Sequence, residues 1–207
     1  MDKVVEPAVE VSIVIDVICS GSYIGFTRFR RVADRFRAGG GKLQISFLPF
    51  QLDPDAPPYG EPLLEVLVRR FGPDVVTHNA QAEADAAQEG LRLNYEQAVA
   101  ANSFEAHRLI AAAAEQGRAE EMTERLFRAH FTDGLDIGDQ AILSALAGEI
   151  GVTPGGVSGE EIRSRLARVR ALGVTAIPVF FFDNEHRLAG VPPEETLAAT
   201  LRRTAAV

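Results

Sequence analysis

A chain of 207 residues makes one domain, or one domain carrying an inserted lobe. With 46% hydrophobic and 24% charged residues it can bury a core and is no disordered tail. Acids outnumber Lys plus Arg by 29 to 21, and the formal charge of −8 disfavours nucleic acid as a partner, because phosphate binding asks for a basic surface.

In chain order, Met1 to Glu10 carries Asp2, Glu6 and Glu10 and does not read as a signal peptide. Val11 to Val17 is a β-branched run of strand length, followed by Cys19-Ser-Gly-Ser22. Phe26, Phe29, Ala33 and Phe36 then recur at helical spacing, with Arg28, Arg31 and Arg35 on other faces. Gly39 to Gly41 ends that helix. Leu43 to Leu48 reads as a second strand, and Pro49, Pro54, Pro57 and Pro58 mark an extended passage. From Glu61 to about Leu172 the composition is that of helices, five or six of them. Breaks fall near Gly72, Gly90 to Tyr95, Gly117, Gly134 to Gly138 and Gly151 to Gly159. Ser158 with Glu161 is a capping-box signature. After Gly173 strand character returns at Ile177 to Phe182 and, past a turn at Asp183-Asn184, at Arg187 to Ala189; Pro192-Pro193 opens a last helix. A helical block of this length between strands of one sheet reads as an inserted lobe. No apolar stretch is long enough to span a bilayer, so no membrane association is expected.

The single cysteine excludes an internal disulfide and points to a reducing cytoplasm. Cys19 sits between a strand and a helix, where orphan N–H groups and the helix dipole favour a thiolate, so its pKa is expected to be depressed. Ser22 lies one turn on, with a hydroxyl able to donate to the sulfur. Asp16 is close to Cys19 and either tunes it, accepts a proton, or caps the helix. Pro178 reads from the residues alone as an edge-strand entry. His107 and His130 read as partly buried, hydrogen-bonded histidines of the helical block. The Glu pairs at 120–121, 160–161 and 194–195 read as first-turn helix acids. Four scattered histidines give no metal-ligand spacing, and Gly39 to Gly41 matches no nucleotide loop.

Asp16-Val-Ile-Cys-Ser-Gly-Ser-Tyr-Ile-Gly25 resembles the active-site stretch of the DsbA family, in its FrnE-like branch, where the pattern is Asp-x-x-Cys-Pro-Trp-Cys-Tyr-Ile-Gly. The likeness continues through Phe47 to Pro54, Asn102 to Arg108, Leu126 to Phe131 with Asp136 to Asp139, and Gly173 to Phe182. It implies an α/β fold: a thioredoxin-like sheet formed by residues 9–60 and 173–207, with an inserted all-helical domain at 61–172. It further implies a cis Ile177–Pro178 bond with Ile177 backbone groups free beside Cys19. Cys19 and Ser22 become the catalytic candidates, and Ile177, Pro178, Tyr23, Asp16 and His107 the substrate-binding ones. Ser22 stands where the family has its second cysteine, so a stored internal disulfide is not available. The kappa-class glutathione transferases and hydroxychromene carboxylate isomerases share the architecture without a Cys pair. Three readings follow: a monothiol disulfide oxidoreductase or isomerase acting on a mixed disulfide or a polyketide-type small molecule, a glutathione-dependent transferase or isomerase, and a non-catalytic accessory protein. No cofactor is expected except that glutathione is a candidate ligand; a thiol or small molecule is the expected partner, and a homodimer stays open.

Overall fold

The structure is a computed structural model and describes residues 8–56, 60–183 and 185–206. The reading of the chain before Ala8, Pro57 and Pro58 of the proline passage, and Asn184 of the turn lie outside the described residues. In chain order the elements are β1 (Val9–Ile15), α1 (Ser20–Ala38), β2 (Leu43–Pro49), β3 (Glu61–Pro62), α2 (Leu63–Phe71), α3 (Val75–Gln88), β4 (Val99–Ala100), α4 (Phe104–Glu115), α5 (Ala119–Phe131), α6 (Gln140–Ile150), α7 (Gly159–Ala171), β5 (Val179–Phe182), β6 (His186–Ala189) and α8 (Glu194–Thr204).

β1 and β2 pair in parallel, and α1 supplies the crossover that a parallel pair requires. β5 runs antiparallel on the other edge of β1, with Val11 opposite Phe182 and Val14 opposite Val179, and β6 follows as a hairpin, giving the order β2-β1-β5-β6. The period-2 alternation decides the layers. Val11, Ile13 and Ile15 join Phe180 and Phe182 on the face covered by α1 and α8, through Phe26, Phe29, Leu197 and Leu201. Val14 and Val179 point the other way and meet Val169 of α7. The last helix of the inserted block therefore packs back on the sheet, while its Ile162 and Leu166 stay with Ala111 and Val157.

Six helices occupy residues 61–172 among those described, with breaks at the glycines named above. Ser158 caps α7 by accepting the Glu161 N–H at 3.1 Å. The insert is not purely helical: β3 and β4 form a two-residue antiparallel ribbon that ties the start of α2 to the segment before α4. Sheet and insert share one core, which passes from Ile13 through Phe26 and Tyr23 to Phe127 of α5, where Tyr23 and Phe127 stack at 4.9 Å with rings 4° from parallel. The α1 arginines add a polar clasp. Arg28 and Arg31 both hold Glu89 at the end of α3, and Arg31 and Arg35 hold Glu194 of α8. Glu194 thus does more than face its own helix dipole.

Candidate active site around Cys19

β1 ends one residue before Asp16, and the chain turns so that the Cys19 N–H donates to the Asp16 carbonyl at 3.0 Å. Cys19 is then the N-cap of α1: its sulfur accepts the Ser22 backbone N–H at 3.3 Å, in the way a Ser or Asp side chain caps a helix. The Ser22 hydroxyl does not make the bond expected of it. It is fully buried and has no hydrogen-bond partner among the described residues.

The depressed thiol pKa expected from the helix start is overturned. Burial pushes the Cys19 thiol up, and the charge of Asp16 pushes it further, whereas the Ser22 and Gly21 backbone amides pull the other way and lose. The side chain is half-buried, open enough for a reagent yet surrounded closely enough for desolvation to dominate.

The Pro178 segment forms the opposite wall. The Ile177–Pro178 bond is cis, Pro178 is buried, and the Pro178 carbonyl takes the Gly190 N–H at 2.9 Å. The β1–β5 ladder stops at Val14–Val179, so Ile177 stands beyond the last pair, and its half-buried side chain packs against the cluster of Val14 and Val169. A Cβ added to Gly21 would stand 3.7 Å from both the Cys19 Sγ and the Pro178 Cδ, and 3.5 Å from Val191, which puts the open face of Gly21 between thiol and proline.

Behind the sulfur lies a buried acid with two histidines. Asp16 is fully buried; its Oδ2 accepts the Leu52 N–H at 2.7 Å. His107 Nε2 lies 2.8 Å from the Phe50 carbonyl and 3.4 Å from Asp16 Oδ1; a carbonyl only accepts, so Nε2 carries the hydrogen. His130 is buried with neither ring nitrogen partnered, and burial lowers its pKa to about 4 against the opposing pull of Asp16.

Three of the side chains expected to bind substrate are buried in this geometry. Asp16 and His107 are buried side by side, 3.4 Å apart, next to the turn that carries Cys19. Tyr23 is 3% exposed and stacked between Phe127 and Phe131, and its phenol, pushed up to about 12 mainly by burial, is influenced by Glu124, Arg30, Arg128 and Asp133 and not by the thiol. Tyr95 is the aromatic that sequence reading missed. It reaches the site from the loop before β4, with Ser20 and Cys19 acting on its phenol and Phe131 against its ring at 5.9 Å. No spacing signal linked it to Cys19, 76 positions away by number, and only the packing of the insert onto α1 brings it there.

Among the described residues there is no cluster of ligands able to hold a metal, and no helix is long and apolar enough to cross a membrane. The profile of the DSBA-like thioredoxin domain family matches residues 10–202. Among solved structures, a probable DsbA oxidoreductase from Streptomyces coelicolor is 26% identical, covering 96% of this chain and 90% of its own, with a TM-score of 0.79. The cytosolic disulfide reductase DsbM from Pseudomonas aeruginosa, solved with GSH, is 18% identical over 95% of this chain and 96% of its own, with a TM-score of 0.65. A 2-hydroxychromene-2-carboxylate isomerase is 13% identical over 94% and 95%, with a TM-score of 0.68. At these last two identities the likeness speaks for the fold alone. No curated protein sequence matches the chain.

Proposed function

The chain belongs to the DSBA-like thioredoxin domain family, and from that premise we propose that it carries out thiol–disulfide exchange through Cys19 alone, on a mixed disulfide of a small thiol such as glutathione. The observation that carries this reading is a half-buried N-cap sulfur facing Pro178, with Ser22 at the place one turn on where a dithiol enzyme needs its second sulfur. The Cys19 thiolate attacks one sulfur of R–S–S–R′. A Cys19–S–S–R bond forms, the old S–S bond breaks, and R′S⁻ leaves and takes a proton from water. A second thiol then attacks the adduct, releases Cys19 as thiolate and departs as a disulfide with R, so no external oxidant is consumed. The backbone of Ile177, beyond the end of the sheet, is the group available to align an extended ligand. We place the protein in the FrnE-like branch of the family and in a reducing cytoplasm, on the motifs around Cys19 and its single cysteine.

The raised thiol supports a second reading. A sulfhydryl that stays protonated at neutral pH is a hydrogen-bond donor, and as a donor Cys19 would hold the sulfur of a bound glutathione in an isomerase or transferase step. Intact mass spectrometry separates the two. Exposure to oxidised glutathione at mildly alkaline pH is expected to add one glutathione to the native protein and none to Cys19→Ser, and reduced thiol is expected to remove it. Absence of the adduct, with glutathione still bound non-covalently, overturns exchange in favour of the donor reading.

A further inference from the structure

The groups behind Cys19 hold more hydrogen-bonding capacity than the protein satisfies. Asp16 Oδ1, Ser22 Oγ and both nitrogens of His130 are buried without a hydrogen-bond partner among the described residues. Buried polar groups are rarely left so unless a bridging water or a function claims them. The fold brings them together. α4 and α5 are joined through the short turn at 116–118, which lays the first turns of α4 beside the last turns of α5. His107 and His130 therefore share one end of the hairpin, and His107 stands 3.4 Å from Asp16 Oδ1. His107 has spent its Nε2–H on the Phe50 carbonyl at 2.8 Å; His130 has spent nothing.

We propose that His130 is a positioning residue for the Cys19 thiol, acting through Asp16: its ring N–H, by way of a water held between them, donates to the free Oδ1 and fixes a charged carboxylate beneath the sulfur. The unspent Asp16 Oδ1, Ser22 Oγ and His130 nitrogens supply the two to four polar partners that a buried water needs. The groups facing this cluster are Asp16 and Cys19 from the β1–α1 turn, His107 from α4 and Tyr95 from the loop before β4; the Tyr23 phenol of α1 faces Glu124 and Arg128 instead. Asp16 acts electrostatically on both His130 and Cys19, so the carboxylate is the middle member of the chain. Its negative charge opposes the thiolate, and a donor that favours that charge favours the protonated thiol. Within monothiol exchange, on which the functional meaning of this inference rests, the pair sets how readily Cys19 loses its proton before attack and how stable its mixed disulfide is afterwards.

The test measures the rate of Cys19 alkylation against pH, which needs no disulfide chemistry and so fails or succeeds apart from the exchange reading. His130→Phe, which removes the donor, is expected to lower the midpoint and raise the rate at neutral pH about fivefold. His130→Gln, whose amide can still donate, is expected to keep the native profile, and Asp16→Asn to give the fast profile whether or not His130 is replaced. If His130→Phe fails to fold, His130→Met is the second variant without a donor. A profile unchanged by loss of the donor overturns the proposal, as does an equal shift when His130→Phe is made in the Asp16→Asn background.

Discussion

Gly25 of α1 and Pro178 meet so closely that a Cβ on Gly25 would stand 3.0 Å from the Pro178 Cγ and 3.4 Å from the Phe180 ring. The contact seats the Pro178 segment on the helix that Cys19 caps, nearly two turns along from the thiol. A glycine inside a helix costs up to about 1 kcal/mol relative to alanine, so close packing is what favours it here. Gly25→Val adds volume that neither the ring nor the proline can absorb without moving. It is expected to lower stability by about 1–3 kcal/mol in denaturant unfolding and to slow adduct formation at Cys19. Gly25→Ala sets a smaller clash against the helix-propensity gain and should lie near the native protein.

The direction of the Cys19 shift sets its pH dependence. With the thiol raised by burial and by Asp16, the protein at neutral pH holds a protonated sulfur, and reactivity grows as the solution is made alkaline. Stopped alkylation assays across pH should give a midpoint above the free-cysteine value of about 8.5. A midpoint below it would restore the helix-dipole argument.

The positions of Cys19 and of the helix breaks were legible because both depend on local chemistry. A β-branched strand followed by Cys-Ser-Gly-Ser marks a strand-to-helix junction wherever it occurs, and glycines at 72, 90, 117, 134 and 151 interrupt helices for reasons contained in a few residues. What the site does to Cys19 was not legible, since desolvation depends on everything packed around the sulfur and spacing shows only the helix start. Tyr23 illustrates the same limit: its place in the motif suggested a cleft residue, but α5 covers it with Phe127 and Phe131. The sharing of Glu89 between Arg28 and Arg31, and of Glu194 between Arg31 and Arg35, joins residues some 60 and 160 positions apart and has no periodic trace. Both histidines are more deeply buried than the partly buried ones expected; His107 keeps the expected hydrogen bond, and His130 has none among the described residues.

Ser22→Cys should convert the site to a dithiol. Ser22 is buried, and its amide already reaches the Cys19 sulfur at 3.3 Å, so a sulfur in place of the unpartnered hydroxyl stands within the range of a bridge after a side-chain rotation. Mild oxidation is expected to remove two hydrogens from the mass of the variant and none from the native chain, and to give the variant dithiol oxidase activity. Persistent single-thiol behaviour of the variant would show that this end of α1 is not shaped for exchange between neighbouring sulfurs.

His130 should make the fold sensitive to acid, and the sign is fixed by the direction of its shift. Its pKa falls from 6.5 to about 4, chiefly by burial, so between those values the unfolded chain binds a proton that the native protein refuses. Stability therefore rises with pH across that window, is fully present above the unfolded value, and is lost progressively as the solution is acidified toward the folded one. Between roughly pH 7 and pH 4.5 the expected loss from this one group is about 2 kcal/mol. Other carboxylates and histidines also contribute to acid unfolding, but they contribute alike to a variant that lacks only this imidazole. The difference between the native protein and His130→Phe, each unfolded by denaturant at both pH values, isolates the His130 share. The variant should lose less stability on acidification by about that amount, whatever its absolute stability at neutral pH. Equal losses in the two proteins would mean that His130 is protonated in the folded state at weakly acid pH, with the buried Asp16 charge outweighing desolvation.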